Sequence, residues 1–362
     1  MTQALTSRQA IFVFSMFYLG SAMLSLTGLL ASDAGQDAWI SVLVALIVHA
    51  LTIPLYMALG KQMEEQSFGD YLTGLFGSLV GKGVAAAFVL LFPFFIYTFG
   101  LFDLTQFIHT LVLPRTPTSA TILMYTIVIV AGCYNGIKTI GRTSELTFPI
   151  LIGFVVVIAV SLTPQIEWKN LRPVLDNGFA PTVKASLPLI GYPYWEMSMF
   201  LFVLPYLKDR KKFGHILLHS AWISGAVFFV TTTITILVLG PRLSSHLVYP
   251  SYFVTRTISI GDFYERFEEI FTFVWYIMIY YRLSIMFFVT VEGLAYAFSI
   301  ASKQRLLIPL ALIGITLSKY AAPNVTAHLN GIHDLPLGYS GLFGLLVPAV
   351  LLLIGKIKNR PA

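Results

Sequence analysis

Charge is the scarcest property of this chain. Asp, Glu, Lys and Arg make up 11% of its 362 residues, against roughly a quarter in an ordinary soluble domain. Hydrophobic residues make up 57%, and the mean hydropathy is +0.80. So few charges cannot hydrate the surface of a soluble globule, so that class is excluded. Cysteine is rarer still: Cys133 stands alone within an apolar run, so there is no intrachain disulfide framework and no hint of redox compartment. No His, Cys and carboxylate residues stand at metal-ligand spacing, and there is no phosphate-cradling glycine loop or nucleophile elbow. The chain therefore reads as a non-enzyme without metal or cofactor. Nucleic-acid motifs are missing too, and the net charge of +6 is read through its distribution over loops rather than as a polyanion-binding patch. Asn324-Val325-Thr326 has the form of a glycosylation acceptor but needs a secretory eukaryotic context.

What the sequence does have is long apolar runs. Crossing a bilayer core takes about 20 apolar residues, because every backbone N–H and C=O must be paired within its own segment. Such runs lie at 10–31, 38–59, 84–108, 119–138, 144–163, 186–206, 216–240, 268–299, 305–321 and 339–356. They predict an all-α integral membrane protein of ten transmembrane helices in one domain, residues 1–362, with membrane lipid as a permanent partner. The first run, Ala10 to Leu30, is longer than the apolar core of a signal peptide and has Arg8 as its one preceding cation, so it reads as a span.

An even number of spans puts both termini on one side. With the N terminus inside, fourteen Lys and Arg residues fall on the cytoplasmic side and eight outside, leaving Arg282 within the membrane. The excess predicts cytoplasmic termini. The densest cluster, Lys208-Asp209-Arg210-Lys211-Lys212, follows span six and reads as a topology anchor. Two connecting stretches are amphipathic. Glu64 to Leu79 predicts a short interfacial helix. Ser251 to Glu269, with Phe263, Phe267, Ile270 and Phe271 at helical spacing, reads either as a cap over a central cavity or as the solvated start of span eight.

Spans one and six carry weak points. Gly20-Ser21-Ala22 places three small residues in the middle of span one, and Gly191-Tyr192-Pro193-Tyr194 interrupts span six. Glycine lowers helix propensity, and proline removes a donor and clashes with the preceding turn. Taken singly, either feature is compatible with close helix packing. Their correspondence, each in the first span of a set of five, is the pattern of an inverted repeat with a ligand site at the broken helices. The two repeats are expected at about 8–163 and 186–356.

The ten-span 5+5 layout, Gly20-Ser21-Ala22, the passage Ala34-Gly35-Gln36-Asp37-Ala38-Trp39-Ile40 into span two and the Gly191-Tyr192-Pro193 break resemble the B subunits of spore germinant receptors (GerAB-like). These belong to the amino acid, polyamine and organocation (APC) transporter superfamily. The resemblance runs from about Thr6 to Lys356. It implies a LeuT-like fold with broken helices 1 and 6, residence in the spore inner membrane, and binding of a nutrient germinant such as an amino acid or sugar. It also implies partnership with germinant receptor A and C subunits. One departure stands out: Ala22 occupies the place of a glycine more usual in the superfamily.

Ionisable residues inside spans are costly and generally face protein or a cavity. His49, Asp103, Glu145, Glu196, Arg282 and Glu292 are the candidates. Glu145, beside Arg142, reads as an interfacial residue, His49 as a packed histidine, and Glu292 as the partner of a nearby cation. In the resembled fold, spans one, three, six and eight surround the ligand, which places Asp103, Glu196 and Arg282 in one charge network. Either carboxylate is a candidate partner for the arginine. That network reads equally as a ligand contact and as a fixed structural pair. The expected ligand lining is Gly20, Ser21, Ala22, Tyr97, Gly191, Tyr192, Pro193, Tyr194 and Ser284. This lining offers few side-chain partners for a sugar, so an amino-acid-sized ligand is favoured. Three readings of function follow: a sensing receptor subunit, a secondary active amino-acid transporter, and a structural subunit with an inactive site.

Overall fold

The computed structural model describes residues 4–20, 22–258, 266–334 and 336–358. Among these the chain is helical throughout, apart from loops and one β-type pairing of Leu5 with Leu207. In chain order the helices are α1 (Ser7–Leu19), α2 (Ala22–Ala34), α3 (Ala38–Met63), α4 (Phe68–Phe76), α5 (Ser78–Val89), α6 (Phe95–Phe107), α7 (Thr118–Tyr134), α8 (Ile137–Ser161) and α9 (Ala180–Gly191). There follow α10 (Phe200–Val203), α11 (Phe213–His246), α12 (Pro250–Thr255), α13 (Phe267–Ala297), α14 (Gln304–Ser318), α15 (Val325–Asp334), α16 (Pro336–Gly341) and α17 (Val347–Lys358).

The described residues of each apolar run are mainly helical, but not every run is one unbroken helix. Among the described residues, seven helical stretches are long and apolar enough to cross a membrane: Ala22–Met63, Ser78–Val112, Ile137–Gln165, Ala180–Tyr206, Arg210–His246, Phe267–Ala297 and Gly338–Lys358. Two shorter apolar helices, Thr118–Tyr134 and Gln304–Ser318, stand beside them. Apolar side chains face outward along α3, α7, α8 and α14, including Ile47, Leu51, Met124, Leu146 and Ile308. A surface of that kind is matched to lipid, whereas a soluble monomer rarely exposes apolar patches beyond a few hundred Å². The chain is an integral membrane protein.

Two prolines stand where helical geometry changes. Pro93 falls in a π-helical turn, Leu90–Phe94, which joins α5 to α6. A wider turn accommodates the missing N–H and the ring that a regular helix rejects. In α11, Gly240 takes φ 76° and ψ 162° directly before Pro241 and kinks the helix. That conformation is open to glycine at little cost.

The interfacial helix expected between Glu64 and Leu79 is α4. Ser67 and Asp70 form its capping box, with Asp70 N–H donating to Ser67 Oγ at 3.1 Å. A second capping box starts α1: Gln9 N–H donates to Thr6 Oγ1, and Thr6 N–H to Gln9 Oε1. Of the amphipathic stretch before span eight, Phe263 lies outside the described residues, while Phe267, Ile270 and Phe271 form the first turns of α13. The start of α1 is tied down, because Leu5 N–H donates to Tyr206 O at 2.7 Å and Lys208 N–H to Leu5 O at 2.8 Å.

Candidate functional site

Two chain interruptions and one arginine organise the middle of the protein. α1 stops at Leu19, Gly20 leaves helical geometry with φ −33° and ψ −91°, and α2 starts at Ala22. Ser21 lies outside the described residues. α9 ends at Gly191, Tyr192 is extended, and the chain resumes as a 3-10 turn, Tyr194–Met199. Pro193 ends the helical ladder there because it has no N–H to donate and disfavours helical geometry at the preceding residue.

Arg282 projects from the middle of α13 between these two places. Its Nη2 lies 2.6 Å from Glu196 Oε2, and both side chains are 1% exposed. Its Nη1 donates to Phe17 O at 3.2 Å, and its Cζ lies 4.9 Å and 4.6 Å from the ring centroids of Phe17 and Tyr192. Of the two carboxylates the sequence offered to the arginine, Glu196 is the partner. Asp103 instead pairs with His328, with Oδ1 and Nε2 2.7 Å apart. The His328 ring stacks on Phe99 and meets Phe102 edge-on. Burial works against a charged His328, but the Asp103 carboxylate more than offsets it, and the imidazole pKa is raised above its ordinary 6.5.

Both ion pairs stand in the wall of one cavity of about 420 Å³. α6 contributes Phe95, Ile96, Phe99, Gly100 and Asp103, the second interruption contributes Tyr192 and Glu196, and α13 contributes Arg282. The remaining wall comes from Ala321, Ala322, Pro323, Ala327, His328, Gly331, Tyr339 and Ser340. It is an apolar, aromatic-rich chamber with a few convergent charges, the composition typical of small-molecule sites.

Several expected lining residues face elsewhere. Successive residues of a helix turn by about 100°. Ile96, Phe99, Gly100 and Asp103 therefore share a face, while Tyr97 points away from it. The Tyr97 ring packs against Phe287 and stands where a Cβ on Gly314 would fall. Ser284 lies two residues beyond Arg282, is buried and is not part of the cavity wall; Cys133 Sγ of α7 donates to its backbone carbonyl. Tyr194 is enclosed by Tyr18, His49 and Phe228, so His49 is a packed residue stacked on a tyrosine. Gly191, Pro193 and Ala22 are buried at the interruptions without reaching the cavity wall. Gly20 is covered by the arginine itself, since a Cβ there would meet Arg282 Cδ at 2.6 Å and Cβ at 2.7 Å.

Two other charged residues pair away from the cavity. Glu145, read as an interfacial residue, is held by Arg8 and Gln9 of α1, at 2.7 Å and 3.1 Å. Glu292 takes Lys303 and the Tyr206 hydroxyl. The sequence reading missed Phe95, Phe99, His328 and Tyr339. Counting back from Asp103 by three, four and seven would have found Gly100, Phe99 and Ile96. His328 belongs to a segment between apolar runs and carried no signal.

This architecture is a LeuT-like fold, the fold of a class of membrane transporters. It matches a nucleobase-cation-symport-1 family transporter, solved closed with bromovinylhydantoin bound, at a TM-score of 0.68 and 12% identity, covering 98% of this chain and 90% of that one. It matches the protein MhsT, solved in complex with L-phenylalanine, at a TM-score of 0.58 and 15% identity over 99% and 100% of the two chains. The chain belongs to the spore germination protein family, whose model matches residues 4–326. It is 27% identical to spore germination protein KB of Bacillus subtilis over 98% of this chain and 95% of that protein. It is also 23% identical to spore germination protein XB of Bacillus anthracis over 72% of each.

Proposed function

We propose that the chain is the nutrient-sensing membrane subunit of a spore germination receptor, with an amino-acid-sized germinant bound in the cavity between α6, the α9 interruption and α13. Its spans number ten: α1 with α2, α3, α5 with α6, α7, α8, α9 with α10, α11, α13, α14, and α16 with α17. They form two inverted repeats of five, both termini face the cytoplasm, and the spore inner membrane is the site of action. Occupancy shifts the bundle, and the shift passes to the receptor A and C subunits. Family membership and the relatives' role in germination support the sensing role.

The observation that carries the ligand class is the cavity wall. It sets two opposite-charge pairs, Glu196 with Arg282 and Asp103 with His328, among the rings of Phe95, Phe99, Tyr192 and Tyr339. A zwitterion with an apolar side chain can engage both signs of charge and still bury its side chain against rings. A sugar would need several hydroxyl partners, and this wall has few polar side chains that are not already paired. The residues nearest the ligand are thus Asp103, Tyr192, Glu196 and Arg282. Gly20, Ala22, Gly191, Pro193 and Tyr194 shape the interruptions behind them.

The transporter fold supports a second reading, alternating-access amino-acid uptake. Two measurements decide. Amino acids and sugars are screened for a rise in the thermal transition of the purified chain, since a ligand that binds only the native state must stabilise it. The hit is then offered to vesicles containing the protein. Stabilisation without uptake is the expected result. Uptake would make it a transporter, and no stabilisation by any amino acid would remove the proposed ligand class.

A further inference from the structure

A helix that stops inside a membrane leaves its last carbonyls short of intrahelical donors, and that end carries the negative pole of the helix dipole. In transporters with interrupted helices, such ends and the unwound carbonyls beside them coordinate the coupling cation. In this protein α1 ends in that way. Gly20 N–H closes onto Met16 O at 2.9 Å, and the next carbonyl, Phe17 O, receives Arg282 Nη1 at 3.2 Å. The same guanidinium lies against Glu196 beyond the second interruption and over the rings of Phe17 and Tyr192. Its stem crosses Gly20 so closely that no side chain fits there. Arg282 is fully buried, so one fixed positive charge bridges both interruptions.

We propose that Arg282 is a tethered cation. Its guanidinium fills the place at the end of α1 where an interrupted-helix transporter binds a diffusible monovalent metal ion, and the protein therefore takes up no sodium there and needs none to hold its site together. A sodium ion entering would have to displace a charge fixed to the backbone by its own side chain. Glu196 neutralises that charge, which allows the place to be dry; a buried ion pair is tolerated only with a close partner and further hydrogen bonds. Gly20 belongs to the same device, because any larger residue would push the guanidinium off the carbonyl it caps. The proposal goes beyond the sensing role and does not depend on which germinant fills the cavity.

The test uses the purified full chain in detergent, with no germinant present, at constant ionic strength in sodium, potassium or choline chloride. Radiolabelled sodium binding and the thermal transition are read together. Wild type is expected to show no saturable sodium binding and the same transition in all three salts. Arg282→Ala, which leaves Glu196 unpaired, is expected to gain a concentration-dependent stabilisation by sodium or by guanidinium ion that choline does not reproduce. Arg282→Lys keeps the charge and is expected to remain indifferent to sodium, which keeps the test decisive if the alanine variant does not fold. Saturable sodium binding by wild type or by a folded Arg282→Lys overturns the proposal. So does a folded Arg282→Ala that responds to neither cation. Failure on these counts leaves the germinant-binding reading standing, because no germinant enters the assay.

Discussion

Arg282 and Glu196 are each 1% exposed and 2.6 Å apart, and a buried pair is most damaging when it is halved. Removing one partner leaves an uncompensated charge, at a cost of about 3–5 kcal/mol. Glu196→Gln should therefore lower the thermal transition of the purified protein by more than a surface carboxylate change does. The double variant Glu196→Gln with Arg282→Met should recover part of the loss. A double variant as unstable as the sum of the two singles would show that the residues act independently. Gly20 makes a second prediction at this scale. A methyl at that position would sit 2.6 Å from Arg282 Cδ, and overpacking of this kind costs about 1–3 kcal/mol. Gly20→Ala should destabilise measurably, and Gly20→Leu should abolish the germination response while the protein still reaches the membrane. An unaltered response in Gly20→Leu would refute the role given to this close approach.

Among the elements, α15 is tied to α6 by a titratable contact. His328 holds it to Asp103 of α6, and the two side chains are 5% and 21% exposed. The imidazole pKa is raised in the folded protein. The pair's contribution is therefore fully present below the ordinary value of 6.5 and is lost as the pH rises through the elevated folded value. Backbone amide exchange in α15 should speed up between mildly acidic and mildly alkaline pH relative to α6. In Asp103→Asn, exchange should be fast at both ends of the range. A pH response identical in wild type and Asp103→Asn would show that another group governs the segment. α6 carries the other half of this contact, and its phase decides what the cavity touches, with the Phe99 and Asp103 face inward and the Tyr97 face against α13 and α14.

At the scale of the whole molecule, the cavity wall takes Ala321, Ala322 and Pro323 from the connection after α14, while the N-terminal end is pinned where Leu5 pairs with Leu207 and Arg8 meets Glu145. If the fourteen-to-eight excess of Lys and Arg orients the bundle as read, the pinned end is cytoplasmic and the cavity faces outward. Single cysteines placed at Lys358 and at Lys169, in a Cys133→Ala background, should then differ under a membrane-impermeant thiol reagent applied to intact cells. Lys169→Cys should be labelled and Lys358→Cys protected. The reverse pattern would invert the topology and place the germinant site toward the cytoplasm.

The apolar runs alone determined that this chain lies in a membrane, that its runs are helical, and that two of them are weak at Gly20 and at Gly191-Tyr192-Pro193. Hydrophobicity and backbone chemistry are local properties, and a bilayer removes most alternatives to the helix. The same locality made α4 readable from its amphipathic pattern. What the sequence could not decide was direction around each helix axis and pairing between helices. Tyr97 and Ser284 were chosen by span and depth, yet about 100° per residue separates a cavity-facing side chain from one packed on a neighbouring helix. Arg282 had two carboxylates within plausible reach, and only the positions of α6, α13 and the second interruption gave it Glu196 and left Asp103 to His328. His328 shows the limit most plainly: a histidine between apolar runs became part of the cavity because tertiary packing laid α15 over α6, a contact more than two hundred residues distant in the chain.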